Sequence, residues 1–227
     1  MYGIIFTVCI SIGLPLFLFL YAFRKKKVIP FILGSIAFLV SQICLRLPLM
    51  QYLGENHSTY TMLSMTKPIL FALIIALSAG LFEELARFLI MTFWMKQRDF
   101  QAGLLFGAGH GGIEAILIVG VPVGALLLSS PIEISSSMAF IGGLERFFAI
   151  MLHIGLSILV LQAVVQKRFM YVLLAILIHT LVDALVGIIP LFVRQDIALF
   201  LVEGTLALIA SIVLLYSLHI KRKGILL

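Results

Sequence analysis

Charge is scarce in this chain. Of its 227 residues only 11% are Asp, Glu, Lys or Arg, whereas 63% are hydrophobic. A soluble domain has about a quarter of its residues charged and about half apolar. The composition therefore excludes a water-soluble globule, which needs more polar residue to coat its surface. Cysteine is almost absent. Cys9 and Cys44 stand far apart inside apolar runs; that argues against a disulfide framework or a zinc knuckle and leaves small packing residues as the expectation. No HExxH helix occurs, so the usual zinc-protease signature gives no support. The start, Met-Tyr-Gly-Ile-Ile-Phe, lacks a basic n-region, and no A-x-A site follows, so it reads as a retained span. No periodic repeat or low-complexity stretch stands out.

What the chain does have is long apolar runs. A spanning helix needs about 20 mostly apolar residues. Runs of that kind cover approximately 3–23, 29–50, 68–95, 101–128, 139–165, 170–189 and 199–219. Backbone groups cannot stay unpaired in hydrocarbon, and the alternation of a barrel is missing, so these are helices. The expectation is an all-α polytopic bundle of about seven spans in one integral membrane domain, 1–227, with a core over about 68–190 and flanking spans 3–23, 29–50 and 199–219. Mean hydropathy of +1.22 agrees with a multi-pass protein of the cell membrane.

The net charge is +6. On a soluble protein that would raise nucleic acid as a partner, but here the basic residues sit in short clusters between spans, and the expected partner is the lipid bilayer. Arg24–Lys27, Lys96 and Arg98, Lys167 and Arg168, and Lys221–Lys223 occupy alternate connectors. The other connectors, 54–67, 129–137 and 190–196, hold only Lys67 and Arg194, and Ser129, Ser130, Pro131 and Ser135–Ser137 make one of them a polar loop. The basic set should be cytoplasmic, which puts the N-terminus outside and the C-terminus inside.

The ionisable residues left inside the spans carry the functional signal, because such groups are costly there and usually mark a working interior. They are Glu83, Glu84, Arg87, His110, Glu114, Glu145, Arg146, His153, His179 and Asp183, with Arg46 and Glu203. At about 1.5 Å rise per residue, Glu83, Glu84, His110, Glu114, His153, His179 and Asp183 all fall roughly 13–21 Å from the basic end, near the middle of a ~30 Å core. Glu83 with Arg87, His110 with Glu114, and His179 with Asp183 are i,i+4 pairs, and Arg146 lies two turns from His153 on the same face. Two chemistries fit. His110, His153 and His179, with Asp183, could bind zinc and leave a position for water, with Glu83 or Glu84 as base. Alternatively a glutamate activates water without metal, and histidines stabilise the oxyanion. Both predict amide hydrolysis within the membrane.

Blander readings stand beside these. A single buried histidine is most often a hydrogen-bonded packing residue, and Glu83, Glu84 and Arg87 could be a buried ion pair. Glu145 and Arg146 read as a supporting pair nearer the outer face, and Arg46 and Glu203 as structural or interfacial. His57 and His219 receive no role, and Trp94 reads as an interfacial anchor. A proton-coupled transporter would also use mid-depth acids and histidines, but related halves with broken helices are not visible. A non-enzymatic immunity or sensor protein of the same fold is the other alternative.

Four pieces together resemble a known family: Phe82-Glu83-Glu84-Leu85-Ala86-Arg87; Gly107-Ala108-Gly109-His110-Gly111-Gly112-Ile113-Glu114; Glu145-Arg146 leading to His153; and His179-Thr180-Leu181-Val182-Asp183. In order and residue type they look like the YhfC-type intramembrane metalloproteases, which are similar to the PrsW proteases and more distantly to the type II CAAX prenyl endopeptidases and bacteriocin-processing enzymes. The resemblance spans about residues 80–185. It implies a helical membrane protease whose substrate is a membrane-embedded or lipid-anchored peptide or protein. It further implies roles in the site for the Glu83–Glu84 pair, His110, Glu114, His153, His179 and Asp183. Two features depart from the relatives. Arg87 follows the glutamate pair by three residues, where the CAAX group has a longer gap and PrsW has lysine. His110 and Glu114 occur together, which leaves open which is ligand and which is base.

Overall fold

A computed structural model describes residues 1–129, 135–224 and 226. Among them, seven helices are long and apolar enough to cross a membrane: Tyr2–Arg24, Val28–Asn56, Pro68–Phe93, Phe100–Leu126, Ser136–Gln166, Met170–Leu191 and Gln195–Arg222. These are the seven spans expected from hydropathy, with ends shifted by a few residues. The described residues contain no strand.

Local chemistry marks several boundaries. Pro68 sits at the start of the third span, where a missing N–H costs nothing. Asp99 caps the fourth span by accepting a hydrogen bond from the Ala102 N–H at 3.1 Å. Lys167, left-handed at φ 54°, ends the fifth span. Asp99 also pairs with Lys27 across two connectors. Partial burial works against its ionisation, yet Lys27 and the backbone N–H groups of Ala102 and Gln101 outweigh it and hold the carboxyl below its usual range. Lys221, at the end of the seventh span, lies 5.1 Å from the centre of the Phe100 ring. Three of the four basic segments thus meet at one end of the bundle, the basic end.

The fifth span is central and packs against the first, third, fourth, sixth and seventh. Its neighbours close tightly near the basic end, where Met91, Met95, Phe106, Leu156, Ile158 and Leu161 are fully buried. The second and fourth spans touch there backbone to backbone. A Cβ on Gly34 would fall 1.9 Å from the Phe106 carbonyl oxygen, and one on Gly109 would fall 2.0 Å from that of Phe31. Only glycine permits so close an approach. The Ser35 hydroxyl reinforces it by donating to the Gly109 carbonyl at 3.0 Å.

Three spans contain π-helical turns, Cys9–Gly13, Leu39–Arg46 and Ile116–Gly120. Each widens its helix locally and re-aims the next stretch of the span. Within its π turn the second span leans on the third, where Arg46 donates to the Ser78 hydroxyl and the Ile75 carbonyl, both at 2.9 Å. Past its own, the fourth span leans on the first.

Two expectations need correction. The 54–67 connector is largely helical, because the second span runs on to Asn56 and a short helix, Ser58–Thr66, succeeds it. Cys9 and Cys44 are exposed on the outside of the bundle and are not packing residues. A lipid-facing surface is as apolar as a core, so hydropathy does not separate the two. Ser130 and Pro131 of the expected polar loop lie outside the described residues. Ser136 begins the fifth span, and its hydroxyl accepts a hydrogen bond from the Gly3 N–H at 3.0 Å.

Candidate active site

Midway along the bundle, four spans turn their acids and imidazoles toward one another. Glu83, Glu84 and Arg87 come from the third, His110 and Glu114 from the fourth, Arg146 and His153 from the fifth, His179 and Asp183 from the sixth. Glu84, Arg87 and His110 are fully buried, and Glu83, Arg146, His153 and His179 nearly so. The i,i+3 and i,i+4 spacings place each helix's polar residues on its inward face, as expected.

The contacts form two connected systems. In the first, Arg87 Nη1 donates to both oxygens of Glu84, at 2.8 and 2.7 Å. Glu84 Oε1 also accepts from His179 Nδ1 at 2.8 Å. Arg87 Nη2 lies 3.1 Å from His153 Nδ1. Beyond His153, Glu114 Oε1 accepts from Arg146 Nη1 at 2.8 Å, and Arg146 also pairs with Glu145. In the second system Glu83 receives His110 Nε2 on Oε2 at 2.8 Å and the Gln42 amide on Oε1. Gln42 in turn accepts from Arg46 Nη1 at 3.0 Å. His179 Nε2 faces both Glu83 Oε2, at 3.9 Å, and Asp183 Oδ2, at 3.7 Å.

These partners fix tautomers. Arginine only donates, so His153 Nδ1 must be the acceptor and its Nε2 carries the hydrogen. His179 is the reverse: Nδ1 donates to the Arg87-paired carboxylate, which leaves Nε2 as the nitrogen that presents a lone pair whenever the ring is neutral. Gln42 is fixed in the same way, its carbonyl toward Arg46 and its amide N–H toward Glu83. His153 Nε2 comes within 2.6 Å of Glu114 Oε2, a close ion-pair contact in which the oxygen has no well-aligned donor. His110 Nδ1 is likewise buried without a partner.

A cavity of about 270 Å³ lies against this array, lined by Gln42, Glu83, Glu114, His153, His179 and Asp183 among others. At ~30 Å³ per water it has room for several, and its walls offer the polar partners that ordered water needs. Glu84 and Arg87 lie behind this wall and do not line it. The larger groove of about 840 Å³ is a different feature. It runs between the second and third spans, lined by apolar residues such as Leu33, Val40, Leu85 and Leu89.

Two residues tied to the site escape sequence reasoning. Gln42 is one amide in an apolar run, and Arg46 reads there as structural or interfacial. A signal exists: the two are four apart in a span that needs no polar residue. Glu203 keeps a buried oxygen without a hydrogen-bond partner and makes no bond to the network.

An interior array of acids and imidazoles around a cavity, inside seven apolar helices, defines a multi-pass membrane protein with a polar mid-bilayer site. The comparisons agree with that class. The family model described as "YhfC intramembrane metalloprotease" matches residues 10–133 and 123–206. The "Uncharacterized membrane protein YhfC" of Bacillus subtilis (strain 168) is 32% identical over 247 aligned positions, covering 94% of this chain and 93% of that protein. The chain belongs to the YhfC intramembrane metalloprotease family. No solved structure matches it.

Proposed function

We propose that this protein is an intramembrane endopeptidase that hydrolyses a peptide bond of a membrane-embedded or lipid-anchored substrate. The observation that carries the reading is the water-sized polar cavity at mid-bilayer, onto which carboxylates and imidazoles from separate spans converge. The basic end faces the cytoplasm, as the charge asymmetry of the connectors indicates.

Proximity alone groups Glu83, His110 and His153, whose ligand atoms lie within 4.8 Å of one another. Hydrogen-bond logic selects differently. His153 offers an N–H toward the cavity, since Arg87 occupies its other nitrogen. His179 has the arrangement typical of a metal-binding histidine, with one nitrogen held by a carboxylate and the other free. Tetrahedral ligands about 2.0–2.1 Å from an ion stand about 3.3–3.4 Å apart, so the gaps of 3.9 and 3.7 Å from His179 Nε2 to Glu83 and Asp183 would close by about half an ångström or less around an ion. We assign His179, Glu83 and Asp183 as the residues that would hold a divalent metal of zinc type once their side chains draw together, with His110 donating to Glu83. Such a metal, when bound, lowers the pKa of water and polarises a carbonyl.

The protein's own groups do the rest. Glu114 Oε2, on the cavity wall beside the His153 N–H, takes a proton from the attacking water. The water oxygen bonds to the peptide carbonyl carbon, and the carbonyl oxygen becomes negative. The His153 N–H, oriented by Arg87, donates to that oxygen. Glu114 then returns its proton to the departing amine as the C–N bond breaks. Glu84 and Arg87 position His179 and His153 and do not touch substrate.

The test compares newly formed peptide termini in membranes of cells producing wild type, Glu114→Gln or His179→Ala at equal levels. Termini present with wild type should vanish with either variant. Unaltered termini from folded variants would remove the assignment.

A further inference from the structure

The cavity is one-sided. Following each span from the acid–imidazole layer, the lining continues toward the end opposite the basic connectors: Arg46 and Leu47 beyond Gln42, Ile118 beyond Glu114, Arg146 before His153, and Val186 beyond His179. Toward the basic end, Phe38 is the one lining residue a turn below Gln42. Past it lie the fully buried side chains of Phe106, Met91, Leu156 and Ile158. The side chains of Asp183, on the sixth span, and Glu145, on the fifth, are 37% and 36% accessible, so the hollow is not closed off from outside.

The second and fourth spans frame the opening. Near the basic end they are locked by Gly34 and Gly109. Their π turns come at the level of the site, where that of the second span packs on the third, and beyond its own the fourth span leans toward the first. The two outer halves have no extended contact among the described residues. The side chains at the gap are apolar and exposed: Ile43, Leu47 and Ile118. The gap thus has lipid-compatible edges, and behind them stand Glu83, Glu114 and His153.

The wider groove between the second and third spans does not lead to the same place. Leu81, Phe82, Leu85 and Leu89 line it, and the Gln42–Glu83 and Arg46–Ser78 bonds stand between it and the cavity.

We infer that the outer halves of the second and fourth spans form the entrance through which both water and an apolar peptide segment reach the site. The substrates are then membrane peptides whose scissile bond lies in the bilayer half away from the basic connectors. This rests on the proposed hydrolase reading for its substrate, but the geometry can be tested without cleavage.

In a background with Cys9→Ser and Cys44→Ser, single cysteines are placed at Leu47, Ile118 and, as floor control, Leu156. Glu55→Cys and Lys96→Cys mark the two faces. A membrane-impermeant maleimide is applied to intact cells and to inverted vesicles, and denatured protein gives the total thiol. Leu47→Cys and Ile118→Cys should label from the same side as Glu55→Cys, about tenfold faster than Leu156→Cys, because the reacting thiolate forms where water reaches it. Labelling from the Lys96→Cys side, or no faster than Leu156→Cys, overturns the inference. A second arm adds a single-span leucine-rich peptide bearing one photoreactive residue in its outer half to the protein in liposomes. Cross-links at Ile43, Leu47 or Ile118 support the entrance; cross-links confined to Phe82, Leu85 and Leu89 overturn it. If both arms succeed and Glu114→Gln leaves the cellular termini unchanged, the proposed hydrolysis fails and the entrance stands.

Discussion

Arg87 offers the sharpest energetic test. It is fully buried, it satisfies both oxygens of Glu84, and it fixes the ring of His153. Replacing it by Met keeps much of the volume of its stem but leaves the Glu84 carboxylate in the interior with His179 as its remaining donor. Breaking a buried pair by removing one partner costs roughly 3–5 kcal/mol. That is a large part of a total stability of about 5–15 kcal/mol. For a chain of this size it corresponds to a midpoint lowered by roughly 6–20 °C. The double variant Glu84→Gln with Arg87→Met removes both charges and should recover most of the loss, since replacing a whole buried pair is often near neutral. Thermal unfolding in detergent, followed by Trp94 emission or by retention of the monodisperse peak, reads both variants. The double variant should still be inactive, because His153 has lost the group that fixes its tautomer. If Arg87→Met melts with wild type, or the double variant melts lower than the single, Glu84 is not an ionised anchor that depends on arginine.

Other outcomes come from separate parts of the molecule. Gly34→Ala and Gly109→Ala should each prevent stable folding or cost several kcal/mol, because their Cβ atoms meet backbone, whereas Gly124→Ala, with nothing within 4 Å, should leave the melting point near wild type. Zinc at about 100 times its Kd should stabilise wild type by about 2.7 kcal/mol and leave His179→Ala unmoved; an equal rise in both would remove His179 from the ligand set. Arg46→Met frees the Gln42 amide to turn and should lower turnover about 10–100-fold, while substrate KM stays close to wild type. Asp99→Asn should cost about 1 kcal/mol at neutral pH. Because the folded carboxyl titrates below its unfolded value, the Asp99 contribution is present above about pH 4 and fades as pH falls through the folded pKa. The gap between wild type and Asp99→Asn should therefore close in acid and not in base.

The seven spans were legible because apolar length is a strong signal and the bilayer permits few alternatives. The site was legible through depth and spacing together. His179 and Asp183 share a face by their i,i+4 separation, and Glu83 and Glu84 reach the same layer by residue count. Contact between residues distant in sequence stayed hidden. Nothing in the local pattern tells that Glu84 is enclosed by Arg87 while its neighbour Glu83 faces the cavity; adjacent helical positions differ by about 100°, and the partner helices decide which one points where. Gln42 was hidden for another reason. A π turn breaks the regular period on which face arguments depend, so its inward aim comes from backbone geometry and not from spacing. The outward-facing Cys9 and Cys44 show the same limit from the opposite side, since a lipid-facing apolar run looks like a buried one.

The sealed layer of Met91, Phe106, Leu156 and Ile158 has an electrical consequence. A hollow filled with water conducts field lines far better than hydrocarbon, so the membrane voltage falls mainly across this plug. Moving one elementary charge through 100 mV is worth about 2.3 kcal/mol, and nearly all of that lies between the imidazoles and the basic end of the bundle. With the entrance inferred above, the carboxylates exchange protons with the medium on the side away from the basic connectors, largely indifferent to voltage, and the plug prevents a shortcut for protons down the gradient.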